Sequence, residues 1–159
     1  MTATGQAQLS GGAHAAVLPY ASLQLRAVAF ILDCVVMSSF LLVFFTIAFL
    51  PVAIAGGSHI SPSESRWIWV VMLSYIPFVP FAFFVMWAVR GQSPGMMAVR
   101  IEVTDRDGEP VSPTSAAVRA LVWPLSMLPL AIGALPVLFD EERRALHDML
   151  AGTVVLELP

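Results

Sequence analysis

Two charged side chains stand inside an apolar run near the start of the chain. Residues 25–36 read LRAVAFILDCVV, and Arg26 and Asp33 carry the only charges in this stretch. On a helix, residues seven apart share one face and lie roughly 10 Å apart along the axis. Helical side chains lean toward the N-terminus, so Arg26 points away from Asp33 and no direct bond between them is expected. An ionised Asp at membrane depth costs about 2.5–3.5 kcal/mol, so Asp33 must be protonated, paired or facing a polar cavity.

Asp148 is the third residue whose type and setting could do chemistry. It lies in DEERRALHDMLAG, residues 140–152, a pattern typical of a short amphipathic helix. One interpretation pairs Asp148 with Arg144 four residues earlier, as an ordinary ion pair on that helix. The other interpretation places Asp148 near Arg26 and Asp33. The three charges would then sum to −1, which one proton or one small cation would balance.

Long apolar runs must position these residues. The chain has 159 residues, of which 58% are hydrophobic and 12% charged, whereas a soluble domain is about one quarter charged. Residues 67–89 and 120–139 contain no charge, and residues 27–50 contain only Asp33. Each run reaches the roughly 20 apolar residues that a membrane-spanning helix needs. The sequence therefore predicts an all-α membrane protein whose first two runs form a transmembrane hairpin.

The third run, residues 120–139, is broken by four residues that disfavour a regular helix: Pro124, Pro129, Gly133 and Pro136. Proline inside a helix kinks or ends it, which favours a bent segment that re-enters the membrane from one side. Proline is also tolerated in ordinary transmembrane helices. Both a re-entrant and a spanning third segment therefore stay open at this stage.

Two short segments have strand patterns. Residues 99–104, VRIEVT, alternate apolar and polar side chains, and residues 153–158, TVVLEL, are rich in β-branched residues. An unpaired strand would leave its backbone groups open, so we expect these two segments to pair. Four arginines between residues 90 and 119 place that segment in the cytoplasm, together with the N-terminus and the strand pair. Residues 1–19 are predicted to be a disordered tail, and residues 20–159 a membrane domain.

Several functions are disfavoured by the sequence. The net charge is −3 without a basic patch, which argues against nucleic acid as a partner. Three scattered histidines have no cysteine or carboxylate at ligand spacing, so no metal site is expected. GQSPG lacks the GK[ST] ending of a phosphate loop, and we expect neither a cofactor nor enzymatic activity. Trp67, Trp69 and Trp87 are predicted to anchor the two ends of the second helix at the membrane interfaces.

The order of these features resembles the RDD family of bacterial membrane proteins. The resemblance covers residues 20–156 and rests on the early Arg and Asp, RGQSPG, RIEVTDRDGEPVS and RALHDMLAGTVV. The family is named for one Arg and two Asp, which would be Arg26, Asp33 and Asp148 here. Met96 stands where the family usually has Lys, so a lipid-phosphate contact by that Lys is not implied. The resemblance implies a multi-pass protein of the bacterial plasma membrane, and for some members it implies sodium–proton exchange.

Two functions remain open from the sequence. The first is transport of a small ion or solute, with Arg26, Asp33 and Asp148 as coupling candidates. Two or three crossings cannot enclose a pathway alone, so this function implies a homo-oligomer. The second is a non-catalytic accessory or assembly subunit of a larger membrane complex. Transport requires the carboxylate of Asp33, whereas an accessory subunit should keep its function when Asp33 is replaced.

Overall fold

The computed structural model of the chain describes residues 19–55, 60–127 and 132–159. The predicted disordered tail, residues 1–19, lies outside the described residues except for Pro19. The described elements follow one another as α1 (Leu23–Ile54), α2 (Pro62–Arg90), α3 (Pro94–Ala98), β1 (Ile101–Asp105), α4 (Pro113–Met127), a 3-10 helix (Ile132–Leu138), α5 (Leu146–Ala151) and β2 (Thr153–Glu157).

The two longest helices, α1 and α2, pack against each other as a hairpin. Their lengths of 32 and 29 residues and their apolar composition are sufficient to cross a membrane. Ser22 caps α1, and Ser61 with Glu64 forms a capping box at the start of α2. The Tyr75 hydroxyl donates to the Met37 carbonyl at 2.6 Å and ties the helices together near their middle. The predicted pair of long apolar helices is confirmed.

The two strands form an antiparallel sheet in which Ile101 pairs with Glu157 and Asp105 with Thr153. The predicted strand pairing is therefore confirmed, with shifted bounds. Residues 99 and 100 do not belong to β1, because Arg100 adopts a left-handed turn conformation with φ 58° that ends α3.

Hydrogen bonds fix the sheet to one end of the hairpin. The Ala21 amide donates to the Val155 carbonyl at 2.8 Å, just before α1 begins. The Val103 amide donates to the Gly91 carbonyl at 2.7 Å, just after α2 ends. The sheet thus lies where α1 begins and α2 ends, so the two segments predicted to share the cytoplasmic side lie together. Their cytoplasmic location stays a prediction.

The third apolar segment is divided between two elements. Its first part belongs to α4, which contains Pro124, and its last part forms the 3-10 helix, which contains Pro136. A Cβ at Gly133 would collide with the backbone and side chain of Ser126, so the 3-10 helix packs closely on α4. The break predicted at Pro124 is wrong, because α4 continues through it to Met127, whereas Gly133 and Pro136 lie where the segment is no longer α-helical. Pro129 lies outside the described residues. Whether the segment re-enters or spans stays a prediction.

The predicted helix over residues 140–152 is wrong in its first half. The helix α5 begins only at Leu146. The Asp140 carboxylate accepts hydrogen bonds from the Arg144 backbone amide and from its guanidinium, each at 2.8–2.9 Å. Side-chain bonds of this kind compete with helix formation, and Arg143 has a φ of 50°. Arg144 consequently binds Asp140 and Glu142, and the ion pair predicted between Arg144 and Asp148 is not formed.

A buried ion-pair cluster and its cavity

Asp148 lies fully buried near the start of α5 and holds two guanidinium groups. Its Oδ2 atom accepts from Arg26 Nη1 at 2.5 Å and from the Ala145 amide at 3.0 Å. Its Oδ1 atom accepts from Arg119 Nη1. The structure therefore brings two of the three predicted residues, Arg26 and Asp148, into direct contact across 122 positions of sequence. Arg26, Asp148 and Arg119 are called the ion-pair cluster below.

Arg119 is the third member of the cluster. In the sequence it was counted only as one of the four arginines between residues 90 and 119. It lies on α4 with 1% of its surface exposed. Its Nη1 atom also donates to Thr153 Oγ1 at 3.1 Å. Its guanidinium carbon lies 4.7 Å from the centre of the Trp87 ring, a cation–π contact. One feature of the sequence could have indicated the importance of Arg119: it is the only charged residue between positions 111 and 139.

The cluster carries a net charge of +1. Burial lowers the pKa of the Arg119 guanidinium, and the nearby charge of Arg26 lowers it further. Arginine nevertheless keeps its proton in proteins, and the Asp148 carboxylate stabilises the charged form. Two guanidinium groups and one carboxylate therefore replace the predicted grouping of one guanidinium and two carboxylates.

Asp33 is held by different partners. It lies 5% exposed on α1, and its Oδ2 atom accepts from the Ser93 hydroxyl at 2.5 Å. Its Oδ1 atom accepts from the Gly95 amide at 2.7 Å. The RGQSPG motif thus supplies both hydrogen bonds to Asp33. Ser93 also caps α3, and its bond to Asp33 was not predicted from the sequence.

Gly95 lets α3 reach Asp33. A Cβ at this position would collide with the Ala29 carbonyl of α1 and would approach the Asp33 carboxylate within 2.9 Å. Only glycine permits such a close approach of one backbone to another. The short helix α3 therefore docks directly on α1, and its first turn satisfies the buried acid.

One cavity is lined both by arginines of the ion-pair cluster and by Asp33. It measures about 350 Å³ and is lined by Arg26, Arg119, Asp33 and His147. The rest of its wall is mainly apolar, and includes Phe30, Phe83, Trp87, Trp123, Leu135 and Val137. This volume is within the range of about 300–1,000 Å³ that is usual for small-molecule sites. A mostly apolar wall with a few convergent polar groups is typical of a ligand-binding pocket.

His147 and Trp87 are both buried beside the ion-pair cluster. His147 is 5% exposed, and its Nδ1 atom lies 3.1 Å from Ser126 Oγ. Burial and the charges of Arg119 and Arg26 lower the pKa of His147 well below its usual value, so the imidazole is neutral near pH 7. Trp87 is 1% exposed and lies beneath Arg119, so its predicted role as an interface anchor is wrong. Across residues 19–55, 60–127 and 132–159, no group of three His, Cys, Asp or Glu could hold a metal ion.

Comparison with known proteins gives one match. The model of the RDD family matches residues 20–152, a range that contains the ion-pair cluster and Asp33. No curated protein and no solved structure matches the chain. The family match and the two long apolar helices together indicate a membrane protein.

Proposed function

This chain belongs to the RDD family, and we propose that it transports a small ion or solute across the bacterial plasma membrane as a homo-oligomer. In this proposal α1 and α2 both span the membrane and the N-terminus is cytoplasmic. The protein is not an enzyme, and it uses neither a cofactor nor a nucleic acid. The resemblance to the RDD family implies one form of this transport, namely the exchange of a cation for a proton, as for some members of the family.

The observation that carries the proposal is the convergence of charged side chains on one cavity. Arg26 and Asp33 lie on α1 and Arg119 lies on α4, and all three line the same space beside two apolar helices. Burying charges is expensive, and well-packed apolar residues are often equally stable in their place. Ionisable residues at membrane depth usually mark a ligand or ion pathway. The cavity is therefore the ligand site in this proposal.

The hydrogen bonds distinguish the roles of the two acids. Asp148 is held by two guanidinium groups, which stabilise its charge permanently. The partners of Asp33 are a hydroxyl and an amide, both neutral, so no adjacent cation fixes its charge. Asp33 is therefore the coupling residue that binds and releases a proton or cation, whereas Asp148 positions the two arginines.

The homo-oligomer in this proposal is supported by the presence of two long apolar helices among the described residues. Two spanning helices cannot surround a water-filled path, and many large apolar side chains of α1 and α2 are exposed, including Leu42, Val70 and Ile76. Copies of the chain would cover part of this surface. The alternative function, an accessory subunit of a larger complex, would cover it with a different protein.

The experiment compares the wild-type protein with the Asp33→Asn variant in proteoliposomes. The substitution keeps the size of the side chain and removes its charge, and we expect it to abolish proton- or sodium-coupled flux while insertion stays normal. Asp107→Asn is the matched control, because Asp107 is exposed in the turn after β1. Full flux in Asp33→Asn would remove the coupling role from Asp33, and absence of flux in the wild-type protein would favour the accessory subunit. Mass measurement in mild detergent tests the homo-oligomer separately.

A further inference from the structure

Three residues of the cavity wall carry a fully buried side-chain nitrogen without a hydrogen-bond partner among the described residues, and each of these nitrogens is a donor. Arg26 Nη2, Arg119 Nε and Trp87 Nε1 are buried and have no hydrogen-bond partner in the part of the chain that the structure describes. All three residues line the cavity. A further buried oxygen, Glu142 Oε2, belongs to a residue outside the cavity wall and forms an ion pair with Arg144 at 3.0 Å.

The carboxylate oxygens near the cavity already accept hydrogen bonds. Both oxygens of Asp33 accept hydrogen bonds from Ser93 and Gly95. Both oxygens of Asp148 accept from the two arginines, and one of them also accepts from Ala145. The cavity therefore presents unused donors beside a cluster whose net charge is +1. Buried donors without partners cost free energy, and native structures keep few of them.

A ligand that supplies acceptors and negative charge would satisfy all three donors. We propose that the cavity binds an oxyanion, a carboxylate or phosphate group, that is attached to an apolar body. Arg26 and Arg119 bind the oxyanion through charge-assisted hydrogen bonds, which are stronger than neutral ones. The Trp87 indole N–H adds a third bond. This inference rests on the proposed function, because it names the class of ligand at the same cavity.

The apolar body of the ligand follows from the remaining wall. Phe83, Trp123 and Val137 line the cavity with apolar surface. Phe30 and Leu135 also line it and are 38% and 50% exposed, so the cavity opens beside apolar side chains. A small, strongly hydrated ion alone would leave this wall uncovered. An amphiphilic oxyanion fills both parts of the site.

The test measures equilibrium binding to the full chain in phosphatidylcholine nanodiscs by calorimetry, with empty nanodiscs as the blank. Benzoate, benzylamine and benzyl alcohol share an apolar ring and differ in charge. We expect benzoate to bind at least about tenfold more tightly than either of the others, because only benzoate provides a charged acceptor. Equal or tighter binding of benzylamine, or no binding of benzoate, would overturn the proposal.

Variants connect the binding to the named donors. Trp87→Phe keeps an aromatic ring beneath Arg119 and removes the indole N–H, and it should weaken benzoate binding about tenfold. Trp69→Phe makes the same change at a position 62% exposed and should leave binding unchanged. Arg26→Gln provides a second variant if Trp87→Phe unfolds. Wild-type affinity in a folded Trp87→Phe or Arg26→Gln protein would contradict the assignment.

The source of the oxyanion is decided by adding phosphatidylglycerol to the nanodiscs. Displacement of benzoate assigns the site to a lipid headgroup, and undiminished binding assigns it to a free amphiphilic solute; both results support an oxyanion site. Binding at equilibrium requires no transport, so this test is independent of the flux assay. If no flux is measured, the oxyanion site is still supported by benzoate binding. If benzoate does not bind, the proposal of cation transport is unaffected.

Discussion

The two halves of the α1–α2 hairpin are built differently. The near half, residues 23–38 and 76–90, packs against α3 and α4 and contains the charged residues Arg26 and Asp33. The far half, residues 39–54 and 62–75, buries only small or apolar side chains among its described residues, namely Ala48, Ile68 and Val71. Charged groups are therefore buried only where further elements supply hydrogen bonds to them. The short elements that follow α2 therefore complete the polar site, because they supply hydrogen-bond partners that α1 and α2 alone do not provide.

The largest expected effect is at the contact that creates the near half. Gly95→Ala places a methyl group against the Ala29 carbonyl, so α3 must move away from α1 and Asp33 loses its partners. We expect the variant to lose most of its folded population when unfolding is followed by circular dichroism during titration with sodium dodecyl sulfate. Gly152→Ala is the control. It has a φ of 67° but no atom within 4 Å of the added group, so it should cost only about 1–2 kcal/mol. Equal stability of the two variants would show that the close approach of α3 is not required.

The second effect is at the centre of the ion-pair cluster. Asp148→Asn leaves two buried guanidinium groups without their carboxylate, and removal of one partner from a buried pair costs about 3–5 kcal/mol. Asp107→Asn is the matched control, because Asp107 is exposed in the turn after β1 and forms no ion pair among the described residues. An exposed substitution of this kind usually changes the free energy of unfolding by about 0.5 kcal/mol or less. The free energy of unfolding should separate the two variants clearly, and similar losses would mean that burial does not distinguish these acids.

Sequence patterns predicted the near half only in part. The helices and the strand pair follow from local hydropathy and alternation, which the structure retains in α1, α2, β1 and β2. The partners of the charged residues could not be derived, because Arg119 meets Asp148 across 29 positions and Ser93 meets Asp33 across 60. The Asp140 bonds to Arg144 likewise replaced a helical turn that local propensity favoured. Local patterns carry no information on which distant donor reaches a buried acid.

A smaller effect is expected from pH. His147 is buried as a neutral imidazole because its pKa is lowered by burial and by the two arginines. Above a pH of about 6.5 the imidazole is neutral in both the folded and unfolded states. Below that pH the unfolded chain binds a proton that the folded chain does not, so the free energy of unfolding falls as the pH falls. His147→Gln should flatten this dependence between pH 7 and pH 5, and an unchanged slope in the variant would assign it to other groups.

The most direct measurement of the central claim is a double-mutant cycle between Arg26 and Asp148. The claim is that residues from the first helix and the last helix act as one buried cluster. The free energy of unfolding is measured for wild type, Arg26→Gln, Asp148→Asn and the double variant. Contacting residues in one ion-pair network give a coupling energy of about 0.5–3 kcal/mol, and we expect a value in the upper half of this range. Additive effects of the two substitutions would contradict the contact and with it the cluster at the cavity.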